Sequence, residues 1–414
     1  MWRPFLLSIA LLACLSVSAF AAIDRDAVER QFQAWLVSDV WPAAKAAKVS
    51  RATFDAATAG ITVDWTMPDL QPPGAPLVPP KVEWQKEFGS PGAYFDQTLL
   101  SRLAAAGRDR LAQWKKTLTK IEARYGVPAK IIVAVWAKES GFGAAVLQKP
   151  AIPALATEAF MGRRAAFFRD ELVAALVILE RGDIGLAAMR SSLGGALGQP
   201  QFLPSQFLKY AVDFDNDGRR DIWNSVPDSL ASIGRYLAAE GWVKGRGWAL
   251  EARVPAEVPC SLEGPEQGQP VAAWTKLGVT RVDGSALPPD AGLSYLLMPA
   301  GRFGPAFIVT DNFYVLKRYN NTDLYALYVG HLADRFAHDR AFAGAWGKVG
   351  GFNRGDVKGM QTELAAEGYT VSEGGGAPDG LIGFRTRIAV GQWQAKQGQT
   401  PTCFPDAKLI HSIH

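Results

Sequence analysis

The chain of 414 residues is long enough for two or three domains with at least one sizeable hydrophobic core. Apolar residues make up 48% and charged residues 20%, close to the average soluble protein, which excludes a disordered or fibrous chain. The formal net charge of +4 comes without a concentrated run of Lys and Arg, so the sequence predicts no nucleic-acid site.

The N-terminus has the pattern of a secretory signal peptide. Arg3 precedes a short apolar run that ends in small residues, which predicts cleavage after Ala21 and removal of residues 1–21. The run is too short for a bilayer core of roughly 30 Å. No later run of about 18 apolar residues exists, so we expect no transmembrane segment. The alternative is a lipoprotein signal, with acylation at Cys14.

Two cysteines remain after such a cleavage, Cys260 and Cys403. An exported protein enters an oxidising compartment, which permits a disulfide between them. The two residues fall in regions that we expect to be different domains. The sequence therefore leaves one disulfide and two free thiols as open alternatives.

The first half of the chain has mainly helical spacing. An amphipathic helix is expected between residues 26 and 57, followed by a proline-rich extended stretch at 70–80. Helical spacing then continues over residues 99–180. We expect breaks at 126–128 and at the glycines that follow Glu139.

The second half of the chain changes in texture. Short β-like runs separated by Pro and Gly predict a small β-rich insertion at about residues 250–310. Helical spacing returns at about residues 325–336, and the glycines of 347–351 are typical of a linker. The final residues, 351–414, are expected to form a separate unit, with helices on both sides of a Gly/Pro/Asp turn.

One carboxylic acid stands on a helix face that is otherwise apolar. Glu139 follows Trp136 by three positions and Ile132 by seven, which puts the three on one face. Such a carboxyl is poorly solvated, and desolvation raises its pKa because it disfavours the ionised form. A raised pKa suits a general acid near neutral pH. The alternative is that the side chain extends past the helix end into water beside Lys138.

Residues 191–205 combine glycines with an apolar run in which Gln199 and Gln201 are the conspicuous polar groups. Glycines allow a ligand to approach the backbone closely, and amide groups bind sugar hydroxyl and acetamido groups. Tight helix packing would use the same small residues. The segment therefore indicates a carbohydrate-binding surface, a close packing contact, or both.

An acidic loop follows this segment. Asp213, Asp215 and Asp217 hold the first, third and fifth positions of an EF-hand-like loop. Gly218 stands at the sixth position, where the chain turns sharply, but the closing twelfth position is Asn224 instead of Glu. Either a Ca²⁺ ion or nearby arginines must offset the repulsion between these carboxylates.

Three blocks of sequence resemble the lytic murein transglycosylase B family. They are AKESGFG around Glu139, GQPQFLP at 198–204, and the acidic segment 210–228, in the family's order and at compatible spacings. The similarity runs from about residue 26 to 336. It implies a mainly α fold with a lysozyme-like helical core at about residues 125–250, within a catalytic region that spans 22–350.

The resemblance also implies a reaction. Its substrate is the β-1,4 bond between N-acetylmuramic acid and N-acetylglucosamine in peptidoglycan glycan strands, and its product carries 1,6-anhydromuramic ends. Glu139 would first protonate the glycosidic oxygen and then deprotonate the muramic 6-hydroxyl. The substrate's acetamido group replaces the second carboxylate that other glycosidases need. No cofactor is expected in catalysis, and we expect a monomer that acts in the periplasm.

Sugar contacts are implied by position in the family's blocks, and Gln199 is added because of its amide group. The residues concerned are Ser192, Gln199, Gln201, Tyr319, Tyr325 and, more loosely, Tyr94. A tyrosine at helical spacing can equally be a core residue.

For the acidic loop, the resemblance implies a structural Ca²⁺ closed by a later acid. That acid corresponds to Asp228, and the carbonyl of Arg219 supplies a further oxygen. The predicted metal ligands are therefore Asp213, Asp215, Asp217, Arg219 and Asp228.

The C-terminal unit, residues 351–414, resembles the three-helix peptidoglycan-binding domain of type one. The segments 356–364 and 378–383 and the pair Trp393-Gln394 occur in that domain's order. The resemblance implies a module that holds the wall and raises the local substrate concentration. The alternative is a helical cap that only stabilises the enzyme.

Two other functions fit the same residues. A hydrolytic muramidase would use Glu139 with an activated water, and its product would be heavier by one water. A non-catalytic peptidoglycan-binding scaffold would not need the acid at all. Replacement of Glu139 by Gln, followed by mass spectrometry of the products, separates the three functions.

Overall fold

In a computed structural model, residues 23–75 and 90–413 are described. The predicted signal peptide, Cys14 and the end of the proline-rich stretch lie outside them. Within the described chain the fold is mainly helical with a small sheet, as the sequence predicts. None of the helices there is long and apolar enough to cross a membrane. The helices are α1 Arg25–Trp35, α2 Trp41–Ala46, α3 Arg51–Thr58, α4 Gln97–Gln113, α5 Lys115–Tyr125, α6 Ala129–Ser140, α7 Ala151–Met161, α8 Ala165–Glu180, α9 Pro204–Tyr210, α10 Val226–Ala239, α11 Val271–Lys276, α12 Asp311–Asn320, α13 Asp323–Arg335, α14 Arg354–Ala366, α15 Phe384–Lys396 and α16 Ala407–Ser412.

The N-terminal segment is less regular than the single amphipathic helix expected there. α1 runs into a π-helical turn at Leu36–Val40 before α2 begins. Pro42, in the first turn of α2, has no N–H, and its ring clashes with the carbonyl four residues earlier, so the regular α-helical pattern is interrupted. Ser50 then caps α3 by accepting a hydrogen bond from the N–H of Thr53.

Helix α6 lies at the centre of the main core. It packs against α4, α5, α10 and α13. Every residue from Ile131 to Ala137 is buried, because the helix is surrounded on all sides. The break predicted at residues 126–128 is confirmed, since α5 ends at Tyr125 in front of Gly126, which has a φ of 73°. Glu139 therefore stands in the last turn of a helix that is buried from Ile131 to Ala137.

The β-rich insertion expected at about residues 250–310 contains an antiparallel sheet of five strands, β3 Ala249–Arg253, β4 Gln269–Pro270, β5 Thr280–Arg281, β6 Leu293–Leu297 and β7 Ala306–Val309. Their order in the sheet is β4-β6-β7-β3-β5. Successive side chains of a strand point to opposite faces of the sheet, so the two faces pack in different hydrophobic cores. Leu296 and Ile308 pack in a small core of their own, whereas Leu297 and Phe307 join the main core. A separate antiparallel pair is formed by β1 Lys149–Pro150 and β2 Arg190–Ser191.

The C-terminal helices α14, α15 and α16 enclose a hydrophobic cluster that includes Val357, Leu364 and Trp393. A disulfide joins Cys260, beside the sheet, to Cys403 in this unit, which decides the alternative that the sequence leaves open. The expected linker is in contact with the larger region, since the N–H of Gly347 bonds to the carbonyl of Phe303. The C-terminal unit is therefore fixed against the rest of the chain.

Candidate active site

The backbone around Glu139 turns sharply directly after the acid. Gly141 ends α6 with a φ of 57°, and Gly143 follows with a φ of 82°, both in the left-handed region that favours glycine. A Cβ on Gly143 would lie 2.6 Å from Oε1 of Gln199. The glycines thus end the helix and leave room for the Gln199 side chain beside Gly143.

Glu139 is partly exposed, and burial of its carboxyl raises its pKa to about 7 from an ordinary value of 4.5. A hydrogen bond from the Tyr325 hydroxyl to Oε1 and the charge of Lys138 act in the opposite direction and are outweighed. The rise in pKa that the sequence predicts is confirmed. The carboxyl is not freely solvated, so the alternative of a side chain directed into water does not hold.

Tyr325 reaches the acid from α13, which packs directly on α6. Thr322 caps the start of α13 and accepts a hydrogen bond from the N–H of Tyr325 at 3.2 Å. The Tyr325 ring is 2% exposed, so only its hydroxyl edge meets the site. Burial, followed by the charge of Glu139, raises the pKa of this hydroxyl well above its ordinary value, and it remains a proton donor.

Tyr319 and Tyr94 lie on two sides of this centre. The ring of Tyr319 stacks on Tyr325 with centroids 6.1 Å apart, and its hydroxyl donates to the carbonyl of Pro200 at 2.8 Å. The ring of Tyr94 packs edge-on against Tyr328 at 5.6 Å, and Nζ of Lys138 lies 4.5 Å from both ring centroids. Tyr328 is the member of this aromatic set that sequence reasoning missed.

Gln199 does not stand where a sugar contact was expected. Its side chain is buried, its Oε1 accepts from Nε1 of Trp136 at 2.8 Å, and its Nε2 donates to the carbonyl of Trp223 at 3.1 Å. Both polar ends of the amide are therefore used inside the protein. We therefore correct its assignment: Gln199 joins α6 to the acidic loop inside the protein.

Gln201 and Ser192 remain at the partly exposed surface of the same segment. Gln201 has a φ of 56°, unusual for a residue with a side chain, and its Nε2 donates to the carbonyl of Gly198 at 2.8 Å. Oγ of Ser192 accepts from the N–H of Ala196 at 3.1 Å. Each group retains further hydrogen-bonding capacity, so their predicted sugar contacts remain predictions.

The acidic loop brings three of the five predicted metal ligands together. Carboxylate oxygens of Asp213, Asp215 and Asp217 lie within 4.8 Å of one another, and acid-only oxygen donors suit Ca²⁺. Asp213 also orders the turn, since its two oxygens accept from the N–H groups of Asp217 and Gly218. The Arg219 side chain lies 3.6 Å from Asp217. The loop is therefore compatible with a cation.

Asp228 differs from the expected closing ligand. It is fully buried, Oδ1 accepts from the N–H of Phe214 at 2.7 Å, and Oδ2 accepts from the N–H of Asp221 at 2.9 Å. Burial raises its pKa to about 6. Because both oxygens are bonded to the loop backbone, Asp228 anchors the loop from inside and is not part of the cluster of three carboxylates.

Comparison with known proteins gives a consistent result. Residues 31–334 match the transglycosylase SLT domain family. Membrane-bound lytic murein transglycosylase B of Escherichia coli K12 is 32% identical over 232 residues, which are 54% of this chain and 61% of that protein. The chain thus matches less than two thirds of the length of this relative.

Solved structures extend the similarity over most of the chain. SltB3 from Pseudomonas aeruginosa in complex with NAG-anhNAM-pentapeptide is 37% identical, with a TM-score of 0.79 over 92% of this chain and 99% of that one. Its complex with NAG-NAM-pentapeptide gives a TM-score of 0.81. The E. coli lytic transglycosylase Slt35 in complex with calcium is 30% identical, with a TM-score of 0.51 over 57% of this chain and 74% of that one.

Proposed function

The chain belongs to the transglycosylase SLT domain family, and on this premise we propose that it is a lytic transglycosylase. Its substrate is the β-1,4 bond between N-acetylmuramic acid and N-acetylglucosamine in peptidoglycan. The observation that carries the proposal is Glu139, a partly buried carboxyl with a pKa of about 7, held by the Tyr325 hydroxyl. SltB3, which is similar over nearly its whole length, has been solved with muropeptides bound.

The reaction uses the one carboxyl twice. Protonated Glu139 donates its proton to the glycosidic oxygen, and the bond from that oxygen to the anomeric carbon breaks. The substrate's acetamido oxygen stabilises the positive charge that develops. The Glu139 carboxylate then takes the proton from the muramic 6-hydroxyl, whose oxygen bonds to the anomeric carbon. Water is not consumed, and the carboxyl ends the cycle protonated.

Two features of the site support this use of a single acid. In the described chain, no other carboxylate is among the groups that shift the pKa of Glu139. The Tyr325 hydroxyl donates to Glu139, so it stabilises the carboxylate that the second proton transfer requires. A pKa near 7 places both protonation states within reach at neutral pH.

Replacing Glu139 with Gln tests the proposal, because the amide keeps the shape but has no transferable proton. We expect release of muropeptides from purified sacculi to fall by a factor of about 10²–10⁴, the usual contribution of a general acid. Wild-type products should be anhydro species in the mass spectrum. Products heavier by one water would indicate a hydrolytic muramidase, and undiminished digestion by the variant would exclude Glu139 as the acid.

We propose that a structural Ca²⁺ binds at Asp213, Asp215 and Asp217, since their oxygens converge and the similar Slt35 has been solved with calcium. The ion would neutralise the three carboxylates and fix the loop that Gln199 contacts. Calorimetry on chelator-treated protein should detect heat at millimolar Ca²⁺ or below. Asp215→Asn should weaken that binding, and Asp109→Asn, at an exposed position of α4, is the matched control. Absence of heat would contradict the site.

We further propose that the protein works in the periplasm as a monomer and that its C-terminal unit contacts the wall. The disulfide between Cys260 and Cys403 supports an oxidising compartment. Cell fractionation tests the location. Pelleting of the Glu139→Gln variant with purified sacculi tests wall binding without digestion of the ligand.

A further inference from the structure

A buried arginine of the C-terminal unit reaches into the larger region. Arg387, in α15, is 2% exposed. Its Nε donates to Oε1 of Glu263 at 2.8 Å, and its Nη2 donates to Oε2 of Glu263 at 3.1 Å and to Oδ2 of Asp323 at 2.8 Å. One guanidinium therefore ties α15 both to the β-rich region and to the first residue of α13.

The other oxygen of Asp323 is paired as well. Lys317 places its Nζ 3.0 Å from Oδ1 of Asp323 and 2.7 Å from Oε1 of Glu373, a residue of the C-terminal unit. Although burial alone would raise the pKa of Asp323, Lys317 and Arg387 hold it at about 2. Removing one partner of such a buried set leaves a charge without compensation, which is strongly unfavourable. The start of α13 is thus fixed by charged side chains from both sides of the junction, the contact between the C-terminal unit and the larger region.

The same start of α13 determines where Tyr325 lies. Asp323 directly follows the capping residue Thr322 and comes two residues before Tyr325. The Tyr325 ring is enclosed in the core, so a shift of the first helical turn moves the hydroxyl that donates to Glu139. Arg387 is therefore connected to Glu139 through its contact with Asp323, the first turn of α13, and the contact of Tyr325 with the acid.

We propose that Arg387 is a positioning residue for the active site, which acts through Asp323 and Tyr325 on the carboxyl of Glu139. The proposal rests on the function proposed above. The C-terminal unit would then help to hold Tyr325 in place beside Glu139, in addition to any contact that this unit makes with the wall.

Two variants and one matched control test this role. Arg387→Met removes the guanidinium and retains much of its volume. Asp323→Asn keeps the shape and leaves two cations with two carboxylates, so this variant is expected to fold even if the first does not. Arg385→Met is the control, because Arg385 lies on the same helix and pairs across the same junction with the more exposed Glu266.

Turnover of solubilised, uncross-linked glycan strands should distinguish positioning from stability. For both variants we expect kcat to fall at least about tenfold with KM unchanged, as for a displaced reacting group. The alkaline limb of the pH profile should move to higher pH, because a weakened Tyr325 hydrogen bond no longer favours the carboxylate. Tyr325→Phe should give the same displacement, and its combination with Asp323→Asn should give no more.

A loss of folded protein alone would lower the amount of active enzyme without moving this limb. Folded Asp323→Asn with the wild-type kcat and pH profile would overturn the proposal, as would displacements that add in the double variant. Arg385→Met should match the wild type in both readouts. Digestion that survives Glu139→Gln would instead refute the proposed function, so the two failures are distinguishable.

Discussion

At the scale of single residues, the properties of Glu139 result from opposing effects on one carboxyl. Burial at the end of an apolar helix disfavours the ionised form, whereas the Tyr325 hydroxyl and the Lys138 charge favour it. Burial is the largest of the three, and the pKa settles at about 7. A carboxyl in this balance can donate a proton and receive one back at neutral pH.

This balance lowers the stability of the folded protein at alkaline pH. The folded-state pKa is above the ordinary value of 4.5, so folding binds the proton more tightly, and that contribution is fully present only below about pH 4.5. It is lost as pH rises through about 7, with a limiting difference of about 3 kcal/mol. We therefore expect Glu139→Gln to be more stable than the wild type at pH 8, and little different at pH 5.

Urea denaturation at the two pH values measures this difference. Asp109→Asn, which removes an exposed carboxyl on α4, should show no comparable dependence on pH. Equal stability of Glu139→Gln and the wild type at pH 8 would mean that the carboxyl is solvated after all.

Sequence reasoning predicted the raised pKa of Glu139 because helical spacing reveals a carboxyl on an otherwise apolar face. Gln199 was misassigned for the opposite reason: its partner Trp136 is 63 residues away, and sequence does not show which way an amide points. For Asp228, loop spacing predicts a metal ligand but does not reveal that backbone N–H groups donate to both of its oxygens.

At the scale of elements, the segment after Leu197 depends on glycine at position 198. Gly198 has a φ of 61°, and a Cβ there would lie 2.6 Å from the backbone oxygen of Ile222. Because the N–H of Gln199 bonds to that same oxygen, the two backbone segments cannot move apart without losing this hydrogen bond. The glycine thus allows the backbone at Gln199 to pair closely with the backbone at Ile222.

Gly198→Ala should therefore be markedly destabilising, by roughly 2–4 kcal/mol, from backbone strain and the backbone clash together. Gly182→Ala is the matched control, because Gly182 has a similar φ of 73° with nothing within 4 Å of the added Cβ. It should lose only the strain, about 1 kcal/mol. Thermal and urea unfolding compare the two, and equal losses would show that the approach to Ile222 is unimportant.

Elements with strong periodicity were predicted best. Helix α8 lies within the range expected to be helical, and Phe168, Leu172 and Leu176 are buried along it. The helices on either side of Gly126 end and begin at the expected break. The N-terminal segment was predicted less well, because a local interruption at Pro42 divides one apolar stripe among several short helices. Periodicity shows which face is buried, but it does not show where the backbone leaves the helical path.

At the scale of the whole molecule, the site is assembled from segments that are far apart in sequence. The lysozyme-like core expected at about residues 125–250 is incomplete by itself, since α13 supplies Tyr325 and belongs to the same hydrophobic core as α6. The C-terminal unit was expected to be separate. Its fixed position depends on pairings such as Glu263 with Arg387, which lie 124 residues apart and leave no local pattern in the sequence.

The disulfide and the buried ion pairs of Arg387 should both stabilise the position of the C-terminal unit. Cys260 and Cys403 close a loop with a sequence separation of 143, and restricting a loop of that length in the unfolded chain stabilises by up to about 5 kcal/mol. Replacing both cysteines with Ser should therefore lower the free energy of unfolding by about 2–5 kcal/mol in urea titrations. Turnover at 25 °C should persist, because Arg387 still pairs with Glu263 and Asp323.

Wild-type protein treated with a reductant is the control and should behave like the variant. A variant as stable as the wild type would mean that the ion network alone fixes the junction, whereas lost turnover in a folded variant would mean that the disulfide positions the site.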